Sequence, residues 1–136
     1  MKKTVSAYAK INLHLDVTGI MADGYHSLQT VMQSLSLCDE VSVTLRDEPI
    51  FDAECNVDCV PTDEKNIAVR AARLYFEKVG KTGGAHIAIE KNIPMAAGLA
   101  GGSADAAAVF KGLNALYNYP LTEEQLSFVF LHLKHF

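Results

Sequence analysis

Apolar and polar residues alternate at the start of the chain: Val5, Ala7, Ala9, Ile11, Leu13, Leu15 and Val17 interleave with Ser6, Tyr8, Lys10, Asn12, His14 and Asp16. A period of two over this length predicts a long strand with one face on a core and the other polar. Lys10 and Asn12 are therefore expected on the same outward side, shared with Tyr8 and Asp16. Asp23-Gly24 marks a turn. Strand-like segments follow at Thr30–Leu37 and at Val41–Leu45, where Val41, Val43 and Leu45 alternate with Ser42 and Thr44. The stretch from Pro49 to Pro61 reads as irregular or edge-like.

From Asn66 to Val79 the spacing changes to that of a helix, with Ile67, Ala71, Leu74, Tyr75 and Val79 as its apolar stripe and Gly80 as its stop. Ala85–Glu90 reads as a strand with Ala85, Ile87 and Ile89 inward. A glycine-rich loop over Ile93–Gly102 leads into an alanine-rich helix expected from Ser103 to Tyr117, whose core stripe is Ala106, Val109, Phe110, Leu113 and Leu116. Pro120 breaks it, and Thr122 with Gln125 forms a capping-box pattern for a further helix. Strands mixed with helices, without a regular βα repeat, predict an α+β domain rather than a doubly wound sheet.

Composition narrows the options. The 136 residues suit one domain, and 49% hydrophobic with 21% charged residues is enough core to exclude wholesale disorder. A net charge of −4 argues against a nucleic-acid or anionic-membrane surface. Lys10, Asn12 and Asp16 interrupt any signal-peptide core after Met1-Lys2-Lys3, and no apolar stretch reaches the roughly 20 residues of a membrane helix. The expectation is a cytoplasmic protein with no membrane partner. Cys38, Cys55 and Cys59 are odd in number, which argues against a disulfide framework, and no further ligands complete a metal site around Cys55 and Cys59. His14, His86, His132 and His135 lack partners at ligand spacing and read as surface or satisfied core residues.

The candidate chemistry lies in the run Pro94, Met95, Ala96, Ala97, Gly98, Leu99, Ala100, Gly101, Gly102, Ser103 and Ala104. It places a strand, a glycine-rich loop and a helix start in succession. Glycines let backbone approach a ligand, and the free N–H groups and dipole of a helix start favour an anion. The small alanines leave room for a triphosphate. Ser103 is suited either to cap the helix or to reach a phosphate-bound magnesium ion. This is neither a Walker A loop nor a dinucleotide-binding loop, because the lysine and the glycine spacing of those motifs are missing.

Pro94-x-x-x-Gly98-Leu99-x-Gly101-Gly102-Ser103 resembles the ATP loop of the galactokinase, homoserine kinase and mevalonate kinase superfamily, the GHMP kinases. Alanine stands at positions 100 and 104, where members often carry glycine and serine. The resemblance implies a ribosomal-protein-like βαββα N-terminal domain, to be followed by a ferredoxin-like C-terminal domain, with ATP and Mg2+ as cofactors and Ser103 as a magnesium contact. Ala9-Lys10-Ile11-Asn12-Leu13 and Ala22-Asp23-Gly24-Tyr25-His26 resemble two markers of the branch that acts on a cytidine-diphosphate-linked sugar alcohol. In that branch Lys10 would lie near the transferred phosphoryl group, Asn12 would position substrate, and Tyr25 and His26 would recognise cytosine. Asn66-Ile67-Ala68-Val69-Arg70-Ala71-Ala72 is similar to the segment whose asparagine contacts the ATP base; Asn66 is equally suited to cap its helix.

The implied activity is phosphorylation, by ATP, of the 2-hydroxyl of a cytidine-diphosphate-linked methylerythritol in isoprenoid-precursor synthesis. Alternatives are a homoserine- or mevalonate-type kinase, and a non-catalytic fragment that binds nucleotide or a partner. The resemblance spans Thr4 to Leu126. Residues 1–126 are expected to form the ATP-binding domain, and residues 127–136 an atypical apolar tail, with Phe128, Phe130 and Phe136 among the six phenylalanines. The tail replaces a stretch that carries the family's proposed general base, so a truncation or frameshift and an inactive isolated chain are expected.

Overall fold

The computed structural model describes residues 1–20, 26–56, 65–93 and 101–133, with side chains for 1–8, 37–56, 65–93 and 102–133. Seven elements follow in order: β1 (Lys2–Ile20), β2 (His26–Arg46), β3 (Phe51–Cys55), α1 (Ile67–Val79), β4 (Gly84–Glu90), α2 (Gly101–Leu116) and α3 (Glu123–His132). The four strands form one sheet in the order β1-β2-β4-β3. β2 runs antiparallel to both of its neighbours, while β3 and β4 pair in parallel. Parallel neighbours need a crossover, and α1 supplies it.

Alternation decides which sheet face meets the helices. Val41 and Val43 of β2, Ala53 of β3, and Ala85, Ile87 and Ile89 of β4 are buried. They pack with Val69, Tyr75, Val109, Phe110 and Leu113 in one core. α2 lies over β1 and β2, and α1 over β3 and β4. The opposite face carries polar pairs such as Thr4 with Ser42 at 2.9 Å, Ser6 with Glu40 at 3.0 Å, and His86 Nδ1 with Asp52 at 2.7 Å. His86 is thus satisfied across the sheet, by a carboxylate distant in sequence.

Local signals set the helix ends. The Asn66 side chain accepts from the Ala68 amide at 2.8 Å and caps α1, while Gly80 closes it at φ 71°, a conformation glycine adopts without a Cβ penalty. Thr122 and Gln125 form the reciprocal capping box of α3. Beyond α2, Asn118 and Tyr119 take φ of 64° and 58°, so the chain has left the helix before Pro120. A Cβ at Gly84 would fall 2.1 Å from the Ile50 carbonyl, so β4 can enter the sheet there only as glycine.

The structure refines or corrects the sequence reading at several points. Thr30–Leu37 and Val41–Leu45 belong to one long strand, β2, with its register shift between Ser34 and Cys38. The edge-like stretch after Pro49 contains a true strand, β3. The pairing of β1 is not continuous to Val17: between Asn12 and His14 β1 advances two residues against one in β2, a bulge that interrupts a simple alternation along the strand. Finally, α2 already includes Gly101 and Gly102, so Ser103 lies within its first turn and is not the cap. α3 runs across positions 126 and 127, its Val129 is buried, and its Phe130 meets Phe110 edge-on at 6.2 Å. Among the described residues no helix is long and apolar enough to cross a membrane.

Candidate functional site

The starts of α1 and α2 lie side by side. Ile67, the first residue of α1, approaches Gly102 so closely that a Cβ there would stand 3.8 Å from Ile67 Cγ2. Two segments singled out from the sequence are thereby brought together: Asn66, which is 5% exposed, and the described end of the glycine-rich run, Gly101–Ala104. Gly102 and Ser103 are exposed, and the first turn of α2 holds no acidic residue. An opening helix turn with free N–H groups, no carboxylate and no bulky side chain can accept an anion. From Ser103 a groove of about 500 Å³ runs between α2 and α3, walled by Ala107, Phe110, Leu126, Phe130 and Leu131.

α2 is held against the sheet at Gly112, where an added Cβ would meet Val43 Cγ2 at 3.3 Å and Val5 Cγ2 at 3.6 Å. β1 therefore passes under the same helix whose first turn opens to solvent. Lys10 and Asn12 lie on β1 in an unbroken stretch of pairing, opposite Ser34 and Met32, and His26 opens β2 opposite Ile20. Their side chains lie outside the described residues. So do Tyr25 and the stretch Pro94, Met95, Ala96, Ala97, Gly98, Leu99 and Ala100, together with Cys59.

The sequence reading missed a buried charge cluster between β4 and α2. Lys91 follows β4 and its ammonium lies 2.6 Å from Asp39 Oδ2 and 3.1 Å from Asp105 Oδ2. Asp39 is fully buried, Asp105 is 4% exposed, and the Lys91 side chain is 7% exposed. The second oxygen of Asp39 accepts the Asn92 amide at 2.7 Å and the Ile93 amide at 2.9 Å. Burial pushes Asp39 upward, but hydrogen bonds from Asp105, the Ile93 amide and Lys91 outweigh it and hold its carboxyl below the usual range. Burial and the hydrogen bond to Asp39 push Asp105 up to about 7 against the pull of Lys91. Burial alone would lower Lys91; its two carboxylates raise it instead. One ammonium thus faces two carboxylates of unequal acidity, and Asp39, the more acidic, is the nearer counter-ion at 2.6 Å. A signal for this existed: Asp39 stands in phase with buried Val41 and Val43, where a lone carboxylate needs partners.

This arrangement of helices on one face of a mixed sheet, with a glycine-containing helix start open beside a second one, defines a domain of the kind found in small-molecule kinases. The model for the GHMP kinases N terminal domain matches residues 66–135, and the chain belongs to that family. It is 49% identical over 122 residues to a 4-diphosphocytidyl-2-C-methyl-D-erythritol kinase of Clostridium botulinum (strain Alaska E43 / Type E3), a match covering 90% of this chain and 43% of the relative. A crystal structure of a 4-(cytidine 5'-diphospho)-2C-methyl-D-erythritol kinase superposes with TM-score 0.76 at 38% identity, covering 94% of this chain and 46% of that one. The homoserine kinase of Cytophaga hutchinsonii also reaches TM-score 0.76, at 21% identity over 98% of this chain and 41% of its own, a likeness of fold. The chain spans less than half the length of the relatives it matches.

Proposed function

We propose that this chain is the ATP-binding part of a kinase that phosphorylates the 2-hydroxyl of a cytidine-diphosphate-linked methylerythritol. The observation that carries the reading is the solvent-open, carboxylate-free first turn of α2 beside the capped start of α1. ATP phosphates would lie against the glycine-rich run from Pro94 to Ala104, with helix N–H groups and dipole balancing their charge. Asn66 would meet the adenine while still capping α1. The exposed Ser103 hydroxyl fits magnesium, a hard cation that takes oxygen ligands and leaves most of its shell to phosphate and water. When bound, the ion would neutralise charge on the phosphates.

Lys10 would supply the remaining positive charge. An ammonium beside the transferred group stabilises charge on its equatorial oxygens, which is most of what a protein contributes to phosphoryl transfer. Asn12 would orient the acceptor, and Tyr25 with His26 would hold the cytosine by stacking and hydrogen bonding. The reading draws support from the names of the relatives, all matched over their N-terminal part, and from the motif residues being present in this chain.

Two measurements test it. Calorimetric titration of the purified chain with ATP should show saturable binding that Gly102→Asp weakens. A chimera carrying this chain's residues in place of the matching part of the C. botulinum kinase should turn over the cytidyl substrate, and Lys10→Met in that chimera should lose about 100-fold or more. An inactive chimera that still binds ATP would leave nucleotide binding and overturn the substrate assignment.

A further inference from the structure

The groove between α2 and α3, and a hollow on the sheet lined by Glu40, Glu54, Asn56 and Glu90, have nothing among the described residues to identify an occupant. The buried Asp39–Lys91–Asp105 cluster is different, because it joins three elements around the end of β4 and the start of α2. We propose that Asp39, Lys91 and Asp105 are positioning residues that hold the end of β4 and the start of α2 as one unit, and so preset the anion-accepting turn of α2. The effect on the anion rests on the ATP-binding reading above; the tie itself does not.

Geometry supports it at both ends. On the β4 side, Asp39 Oδ1 takes the amides of Asn92 and Ile93 at 2.7 and 2.9 Å, fixing the backbone that leaves the strand. On the α2 side, Asp105 stands just beyond the exposed first turn, and its Oδ2 accepts from Lys91 Nζ at 3.1 Å. Lys91 completes the link through its 2.6 Å contact with Asp39. Asp39 belongs to β2, the sheet's central antiparallel strand, so both flanks are referred to the rigid core. A chain of charge-assisted hydrogen bonds fixes direction as well as distance, which apolar packing does not. Such support is what holds a binding turn to the fraction of an ångström that anion recognition needs.

Asp105→Ala cuts the tie and leaves Lys91 and Asp39 as a neutral pair, so the fold should survive; Asp105→Asn keeps an acceptor for Lys91. Amide hydrogen exchange without nucleotide reads the tie directly. In Asp105→Ala, the amides of Asn92 and Ile93 should lose protection together with Asp105–Ala108, the first α2 amides that bond within the helix, by about tenfold or more, while Ala71–Leu74 of α1 keep theirs. ATP affinity should fall about tenfold or more in Asp105→Ala and stay within about threefold of wild type in Asp105→Asn. A uniform loss of protection, or a loss on one flank only, would show a merely structural pair and overturn the proposal. Disturbed exchange with unchanged ATP affinity would overturn the presetting of the anion turn. If wild type binds no ATP, the nucleotide reading fails and takes the presetting with it, while the exchange data still decide the tie.

Discussion

Placing a carboxylate at the start of α2 should move stability and nucleotide affinity in opposite directions. Gly102 is suited to this change because it is exposed and an added Cβ would have its nearest neighbour, Ile67 Cγ2, at 3.8 Å, an ordinary contact. In Gly102→Asp, leaving glycine gains a few tenths of a kcal/mol of helix propensity, and an acidic group on a turn that now has none gains about 0.3–1 kcal/mol. The sum, about 1 kcal/mol, corresponds to a rise of about 2–5 °C in Tm for a domain of this size. ATP meets the reverse. Two phosphate charges about 5 Å from the new carboxylate cost about 0.8 kcal/mol each even at the dielectric constant of water, and more where the site excludes solvent. Affinity should therefore fall by about 15-fold or more. Gly102→Ala separates bulk from charge: it should gain about 1 kcal/mol of stability and keep ATP affinity within about threefold. Thermal unfolding and calorimetric titration in low salt read the two quantities independently. Equal ATP affinity in the alanine and aspartate variants would mean that no anion sits at this end of α2.

Asn66→Ala should cost about 1 kcal/mol through loss of the Ala68 cap, and Asn66→Ser should restore the stability but not the ATP affinity; recovery of both would confine Asn66 to capping. Asn114 accepts from Tyr75 Oη at 2.9 Å and from the Leu121 amide at 3.2 Å, and donates to the Leu121 carbonyl at 2.9 Å. Asn114→Ala should therefore cost about 2–4 kcal/mol in urea unfolding against about 0.5–1.5 for Tyr75→Phe, and equal costs would contradict this network. The buried carboxylates also give a pH signature. Depressed Asp39 contributes stability that is present above about pH 4 and lost as pH falls below it, whereas Asp105, raised to about 7, contributes stability that is present below about pH 4 and lost as pH rises toward 7. The stability difference between wild type and Asp105→Asn, measured in metal-free buffer, should thus decline from about pH 4 to about pH 7; a flat difference would contradict a raised Asp105 carboxyl.

What the sequence discloses here divides by range. α1 and α3 are legible because their signals are local: Asn66 and Gly80 bracket one helix, and Thr122 with Gln125 opens the other. β3 is legible only as an edge-like stretch, because Phe51, Ala53 and Cys55 alternate with Asp52 and Glu54 over just five residues, and its partner lies beyond a helix. α2 starts two residues before the serine that the sequence offers as its cap, because Gly101 and Gly102 carry no helix signal of their own. The glycine-rich run reads from its own residues as an anion-accepting loop, and the resemblance adds expected roles for Lys10, Asn12, Tyr25 and His26 but carries only what the motifs contain. Lys91 lies 52 residues from Asp39 and 14 from Asp105, so no window of sequence holds all three. Yet Asp105 stands in α2 itself, one residue beyond the stretch from Gly101 to Ala104 that ends the glycine-rich run. Well-packed apolar residues in place of a buried ion pair are often neutral or stabilising by about 1–4 kcal/mol, so stability alone gives little reason to bury three ionisable groups here. A directional tie between the two flanks of a binding turn does give one, and it is a reason that only the folded chain displays.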